Sequence, residues 1–302
     1  MPFRIDPRKP FDDEIRRAGL ELIDEAIEIL ENQPDGSHEA VHDARKRFKR
    51  IRALYRLIQP ANAGFRREEN ARFRQIAQSL AFARDATALV ETAGYLEEFA
   101  RSEAQSVALQ SVIVTLEERR DHAIEHEVDL DSTIKTAIAQ CRKGRAQLDA
   151  LSLPEDAKDA ARLIRKSWAK QRRKALEALS DCHAHADVEH FHDLRKAGQI
   201  YWMHLGLLRR LWPSAMRSKR ADAKRLVDLL GREHDLSVLA ALADREGELF
   251  GNGDRQAFLL EAIIRQQQVL RKNSLALAGE VFSESARTES SIAAVLWRRA
   301  GK

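Results

Sequence analysis

The stretch HEAVH at residues 38–42 places two histidines four residues apart, with a glutamate beside the first. On a helix this spacing turns two imidazoles toward one Zn²⁺ ion, while the glutamate serves as the general base of a hydrolase. Ser37 is the expected N-cap, which puts His38 on the first helical turn. Three cations follow immediately and would repel a metal ion: Arg45, Lys46 and Lys49. A zinc hydrolase is therefore a minor alternative, and we predict no metal, no cofactor and no catalytic residues.

Residues 42–58 are predicted to form a helix with one apolar side and one basic side. At about 100° per residue, the apolar stripe runs from Ala44 through Phe48 and Ile51 to Ile58. The opposite side carries six basic side chains and, in this projection, no carboxylate: His42, Arg45, Lys46, Lys49, Arg52 and Arg56. Like charges three or four residues apart repel by roughly 0.2–0.5 kcal/mol per pair. Such a face favours an anionic ligand, and Arg and Lys are the side chains that bind phosphate oxygens.

The chain also repeats itself. VHDARK at 41–46 and FHDLRK at 191–196 are 150 residues apart, and the same offset superimposes LAFARDATAL at 80–89 on LGREHDLSVL at 230–239. One register that relates several separated segments indicates an internal duplication. A single basic helix face is usually a solvated surface, but its recurrence in both halves favours a binding site. The repeat adds seven predicted binding positions: Arg67, Arg74, His192, Arg195, Lys196, Arg217 and Lys224.

Apolar residues recur at helical spacing through both halves, and no strand-like alternation competes. Pro, Gly and Asn punctuate the connections, which are short enough to join antiparallel neighbours in a bundle. We therefore predict an all-α protein with one helical unit over residues 1–150 and a second over 151–302. The predicted helices are 12–31, 38–58, 65–82, 85–121, 155–180, 188–211, 215–231 and 235–278, with the longest of them broken.

Composition narrows the classes of protein further. The 302 residues include 51 Lys and Arg against 47 Asp and Glu, so the net charge of +4 does not by itself predict a polyanion-binding protein. Cys141 and Cys182 are too few for a disulfide framework, which favours a reducing compartment. No apolar run approaches the ~18 residues of a membrane span. We expect a cytoplasmic protein with no membrane partner.

The combination of VHDARKRFKRIRALYRLI with FHDLRK, and of LAFARDATAL with LGREHDLSVL, resembles the CHAD family of helical domains named for conserved histidines. The resemblance covers nearly the whole chain. It implies two four-helix bundles related by a pseudo-twofold axis, with a basic channel between them. It also implies binding of inorganic polyphosphate without catalysis. The family's histidine and basic positions fall on the six residues from His42 to Arg56 named above, and on His192, Arg195 and Lys196.

The chain departs from the family's pattern at several positions. Gln199 and Met203 replace basic residues that follow the second histidine motif, and Ala81 replaces a glycine, so the two halves are not expected to contribute equally. Arg84 and its counterpart His234 are expected to make buried polar contacts that hold helix ends.

Two functions from different classes use the same basic face. The first is a polyphosphate-binding protein, with association with polyphosphate granules as a further expectation. The second is a nucleic-acid-binding protein, which would need aromatic side chains among the cations to stack bases. The basic faces lack these apart from Trp202, so polyphosphate is the preferred partner.

Overall fold

The computed structural model describes residues 3–125, 130–251 and 253–301, without the side chains of residues 82–84 and 123. Within these residues the protein is all-α, as predicted, and no strand occurs. The described elements are α1 (Phe11–Asn32), α2 (Ser37–Ile58), α3 (Ala63–Ser79), α4 (Phe82–Glu97), α5 (Glu103–Glu125), α6 (Leu130–Asp149), α7 (Ala157–His185), α8 (Val188–Leu207), α9 (Pro213–Arg245), a short 3₁₀ helix (Gly247–Phe250), α10 (Gly253–Val281) and α11 (Ala286–Ala300).

Short polar side chains cap several of these helices. The Asn62 side chain accepts a hydrogen bond from the backbone N–H of Phe65 at the start of α3, and Asp187 does the same for His190 at the start of α8. Such bonds satisfy N–H groups that have no partner within the helix. The predicted cap at Ser37 is wrong, because α2 already begins at Ser37 and Gly36, with φ of 88°, occupies the cap position.

The ends of the longest helices agree with the prediction only in part. The predicted helix over 85–121 is broken between α4 and α5, in line with the expectation that some of the longest helices are broken, whereas α9 continues through the end predicted at 231 and the start predicted at 235. Residues 286–300 form α11, which the sequence pattern did not predict. The continuity of α9 was missed because apolar periodicity identifies the buried side of a helix, and this side can change along a helix that packs against one neighbour and then another.

Helix starts repeat at the offset seen in the sequence. α3 begins at residue 63 and α9 at residue 213, while α5 begins at residue 103 and α10 at residue 253. In each half the first helix packs against the second and the last, so that α1 contacts α2 and α6, and α7 contacts α8 and α11. The division of the chain at residue 150 and the pseudo-twofold arrangement of two four-helix bundles stay predictions.

Two large clusters of buried apolar side chains hold the helices together. The larger cluster takes residues from α1, α2, α3 and α6 and also from α7, α8, α9, the C-terminal end of α10 and α11. The second cluster is built from α4, α5, the C-terminal part of α9 and α10. Each cluster therefore contains helices from both halves of the chain. In the part of the chain that the structure describes, no helix has the length and apolarity needed to cross a bilayer.

Candidate functional site

A cavity of about 550 Å³ opens between α2, α3, α4, α8 and α9. We call it the basic cleft. Of the described residues, five permanent cations and two histidines line it, from both halves of the sequence: Arg45, Lys49, Arg52, Arg74, His192, Arg195 and His234. Among the described lining residues only Asp85 and Asp235 carry carboxylates. Six of the thirteen predicted binding positions therefore meet in one cavity, in which positive charge exceeds negative charge.

Helix α3 fixes two guanidinium groups of α2 at the cleft. Arg45 donates a hydrogen bond of 2.9 Å to the carbonyl oxygen of Ala77 and lies 3.8 Å from a carboxylate oxygen of Asp85. Arg52 donates from Nε to the Asn70 side-chain oxygen at 3.1 Å. Each contact orients a guanidinium group before a ligand arrives, which lowers the entropy that binding would lose.

Burial makes the cationic forms of the arginines costly. It lowers the pKa of Arg52, and the nearby charges of Arg74 and Arg66 lower it further. Burial likewise lowers the pKa of Arg195, although Asp235 opposes this effect. The Arg195 Nε is buried without a hydrogen-bond partner in the described residues. An anion in the cleft would stabilise these charges and offer acceptors to their N–H groups.

His192 and His234 stack against each other on the cleft wall, with ring centroids 4.7 Å apart and an angle of 27° between the rings. Burial lowers the pKa of both imidazoles, for His234 to about 4, and the charge of Arg195 adds to this effect. The Nδ1 atom of His192 is buried and has no described hydrogen-bond partner. Both rings are therefore neutral near pH 7 while the cleft holds no anion.

His234 was missed as a site residue by the sequence reasoning, which expected it to hold a helix end. The signal was available, because the repeat aligns His234 with Arg84 and so places a residue able to carry positive charge there in both halves. The side chain of Arg84 lies outside the described residues.

Seven predicted positions do not line the basic cleft. Arg56 and Lys196 line a second cavity of about 290 Å³, between α2, α7 and α8, together with acidic side chains such as Asp181 and Asp193. Burial lowers the pKa of Arg56 to about 10, and the charges of Arg66 and Arg52 contribute. The other five line neither cavity: His42, Lys46, Arg67, Arg217 and Lys224.

Acidic neighbours neutralise several of these outlying cations. The Lys46 Nζ lies 2.9 Å from a carboxylate oxygen of Asp43, so the expectation that no carboxylate reaches the basic face is wrong at this position. Asp43 precedes Lys46 by three residues, and side chains at this spacing meet on a helix surface. In the same way Lys224 is 2.6 Å from an oxygen of Asp228.

The HEAVH stretch does not assemble as the zinc interpretation requires. In the described residues, the one group of three potential metal-ligand atoms in this region comes from Glu39, His42 and Asp43, whose atoms lie within 4.8 Å of one another. His38 does not belong to it. The group contains one of the two histidines of the motif, and its residues do not line the basic cleft.

Comparisons with known proteins agree with the helical architecture. The family model of the CHAD domain matches residues 21–244, and the chain belongs to the CHAD domain family. A crystal structure of the CHAD domain from the plant Ricinus communis superimposes with a TM-score of 0.58 at 17% sequence identity. That alignment covers 94% of this chain and 96% of the plant chain. No curated protein matches the sequence.

Proposed function

We propose that this protein binds inorganic polyphosphate in the basic cleft and releases it unchanged. The observation that carries the proposal is the convergence, among the described residues, of five permanent cations from both halves of the chain on one cavity lined by two carboxylates. A linear phosphate chain has about one negative charge per unit, so a short stretch can pair with several cations at once. Arg and Lys side chains neutralise and orient phosphate oxygens. These contacts bind the ligand and require no chemical reaction.

The lining of the cleft favours polyphosphate over nucleic acid. Single-stranded nucleic acids gain about 1–3 kcal/mol for each base that stacks on an aromatic side chain. Apart from the two imidazoles, the described aromatic residue of the cleft is Phe48, which is fully buried in the core. Trp202, the aromatic residue expected to help, lies outside the cleft beneath Arg220 and Lys224. A ligand without bases therefore matches the cleft better.

The proposal extends to the place where the protein acts. A protein that holds long polyphosphate chains in the cytoplasm would collect where these chains collect, at polyphosphate granules. Microscopy of a fluorescent fusion in cells with and without stored polyphosphate tests this part, because a diffuse signal in both would contradict it.

The binding site is tested by removing cations from the cleft. We expect the combined change Lys49→Gln, Arg74→Gln and Arg195→Gln to weaken binding of long-chain polyphosphate by about tenfold or more, because each charge-assisted hydrogen bond contributes roughly 1.5–3 kcal/mol. The measurement is fluorescence anisotropy with end-labelled polyphosphate, after circular dichroism has shown unchanged helicity.

A matched control removes the same charges elsewhere. Arg67→Gln, Arg217→Gln and Lys224→Gln also remove one Lys and two Arg, but from positions outside the cleft. Binding by this control should stay within about twofold of the parent protein. Equal weakening in both variants would show a diffuse surface effect and overturn the cleft as the site.

Competition identifies the preferred polyanion. RNA, single-stranded DNA and polyphosphate are compared as competitors at matched phosphate concentration, and we expect polyphosphate to displace the labelled ligand at the lowest concentration. A stronger effect of either nucleic acid would replace our proposal with the nucleic-acid alternative.

A further inference from the structure

A separate cavity of about 220 Å³ lies where α2, α8 and α9 approach the N-terminal segment. We call it the arginine pocket. It shares no lining residue with the basic cleft. Three guanidinium groups line it, from Arg50 on α2, Arg209 just after α8, and Arg220 on α9, and no carboxylate does so among the described residues.

Burial and like charge both make the cationic forms of Arg50 and Arg209 costly. Burial lowers the pKa of Arg50 and of Arg209, and in both cases the positive charge of Arg220 contributes. In the described part of the chain, no ion pair joins any of the three to a carboxylate. Glu25 and Asp43 act on Arg50 from a distance, but both are already paired with Arg47.

One hydrogen-bond donor of the pocket has no partner among the described residues. The Arg220 Nε is buried and has no hydrogen-bond partner in the described residues. Gly206 allows this approach, because a Cβ atom at that position would lie 3.1 Å from the same Nε. A buried donor without a partner costs about 1–3 kcal/mol, which an oxyanion would recover.

The remaining wall of the pocket is apolar. Phe3, Trp202 and Met203 line it beside the guanidinium groups, and Arg220 lies over the Trp202 ring with its Cζ 5.3 Å from the ring centroid. Cation–π contact stabilises a guanidinium group but does not neutralise it. The pocket therefore combines unneutralised positive charge with a surface suited to a small organic group.

We propose that the arginine pocket is a second anion site, distinct from the cleft, which binds the phosphate group of a compact ligand between Arg50, Arg209 and Arg220. Planar guanidinium forks from three directions suit a tetrahedral phosphate with several free oxygens. The pocket volume of about 220 Å³ suits a short phosphate compound rather than a long polyphosphate chain. This inference does not depend on polyphosphate binding in the cleft.

The test uses pyrophosphate and a background in which the cleft is disabled. In the full-length variant Lys49→Gln, Arg74→Gln, Arg195→Gln, isothermal titration calorimetry should still detect one pyrophosphate site. Adding Arg209→Gln and Arg220→Gln should weaken that remaining binding at least about tenfold. Adding Arg67→Gln and Arg217→Gln instead removes two exposed guanidinium groups and should leave it within about twofold.

Absence of pyrophosphate binding in the cleft variant would overturn the second site, and so would binding that survives loss of Arg209 and Arg220. ADP in a parallel titration distinguishes the source of the phosphate group. If ADP binds more tightly than pyrophosphate and changes a tryptophan fluorescence signal that Trp202→Phe abolishes, the ligand is an organic phosphate. If ADP and pyrophosphate bind with equal affinity, the pocket recognises the phosphate group alone. Failure of long-chain polyphosphate to bind the parent protein would remove the proposed function and leave this result standing.

Discussion

At the scale of single residues, the stacked pair of His192 and His234 is neutral near pH 7 in the protein alone, and its charge would change if a bound polyanion raised the pKa of the rings. On α8, the positive charges of Arg195 and Lys196 lower the pKa of both rings. The carboxylates of Asp193 and Glu189 on the same helix raise the pKa of His192. On α9, the carboxylates of Asp235 and Glu233 act on Arg195. From the first half, the cations Arg45, Lys49, Arg52 and Arg74 and the carboxylate of Asp85 line the same cavity. Positive charge outweighs negative charge around the pair, so the protein alone favours neutral rings.

We predict that polyphosphate affinity rises as the pH falls from about 8 to about 5. A bound polyanion raises the pKa of His192 and His234 above the lowered values of the ligand-free protein, so that binding takes up protons and is favoured by acid. The measurement is the dissociation constant as a function of pH for the parent and for His192→Gln with His234→Gln. The double variant should lose most of the slope, and an equally steep slope in both would exclude the pair as its cause.

The same lowered pKa has the opposite effect on folding. His234 and His204 both have their pKa lowered to about 4 by burial, so the unfolded chain takes up protons near pH 6.5 while the folded protein resists. The unfolded state therefore binds more protons between about pH 6.5 and pH 4, and stability falls across this range as the pH falls. Urea unfolding of the parent and of His204→Gln should show a smaller loss over this range for the variant.

At the scale of helices, α2 is held in place by contacts from both sides. His204 on α8 forms a 2.9 Å hydrogen bond through Nε2 with the carbonyl oxygen of Ala53. On the other side, α3 supplies Asn70 and Ala77 to the arginines of α2. Helix α3 also carries Arg74, so its packing against α6 sets one wall of the basic cleft.

Gly144 on α6 lies at a close approach between α6 and α3. A Cβ atom there would lie 2.9 Å from two ring carbons of Phe73 and 3.2 Å from a carboxylate oxygen of Glu69. We expect Gly144→Ala to destabilise the protein by about 1–3 kcal/mol, because inserted atoms force a packed core to shift. The measurement is chemical unfolding. Gly279→Ala on α10 is the control, since nothing lies within 4 Å of its Cβ position, and it should be neutral or stabilising by up to about 1 kcal/mol.

A buried ion pair joins α7, α8 and α11. Arg172, almost fully buried, donates from Nε to Glu289 at 2.5 Å, and the Tyr201 hydroxyl donates to the other oxygen of that carboxylate at 2.6 Å. Glu289→Ala should cost about 3–5 kcal/mol, because it leaves a buried guanidinium group without its counter-charge. Asp159→Ala, which breaks an exposed pair with Arg162, should cost less than about 1 kcal/mol. Similar losses in the two variants would contradict this account.

At the scale of the whole molecule, the charge is concentrated rather than abundant. A net charge of +4 is small for 302 residues, yet five cations line one cavity. Displacement of counterions by these cations predicts a plot of log affinity against log salt concentration with a slope of about −4. The slope should become shallower by about 2 in the Lys49, Arg74 and Arg195 triple variant. An unchanged slope would show that other groups bind the ligand.

The amino-acid sequence by itself determined the helical class, the 150-residue repeat and the basic side of α2, because these are local properties of spacing and composition. A helical projection predicts the angle of a side chain but not which neighbour it meets. Arg45, Lys49 and Arg52 face the cleft, while Arg56 on the same side of α2 lines another cavity.

The tertiary structure decided which cations lie together. It brought His234 from α9 against His192, and it grouped Arg50, Arg209 and Arg220 in a pocket to which no sequence motif pointed. These outcomes depend on how distant helices cross and on which acidic groups lie within reach. Long-range packing sets the helix crossings and the neighbours of each side chain, and neither can be predicted from the spacing of residues along one helix.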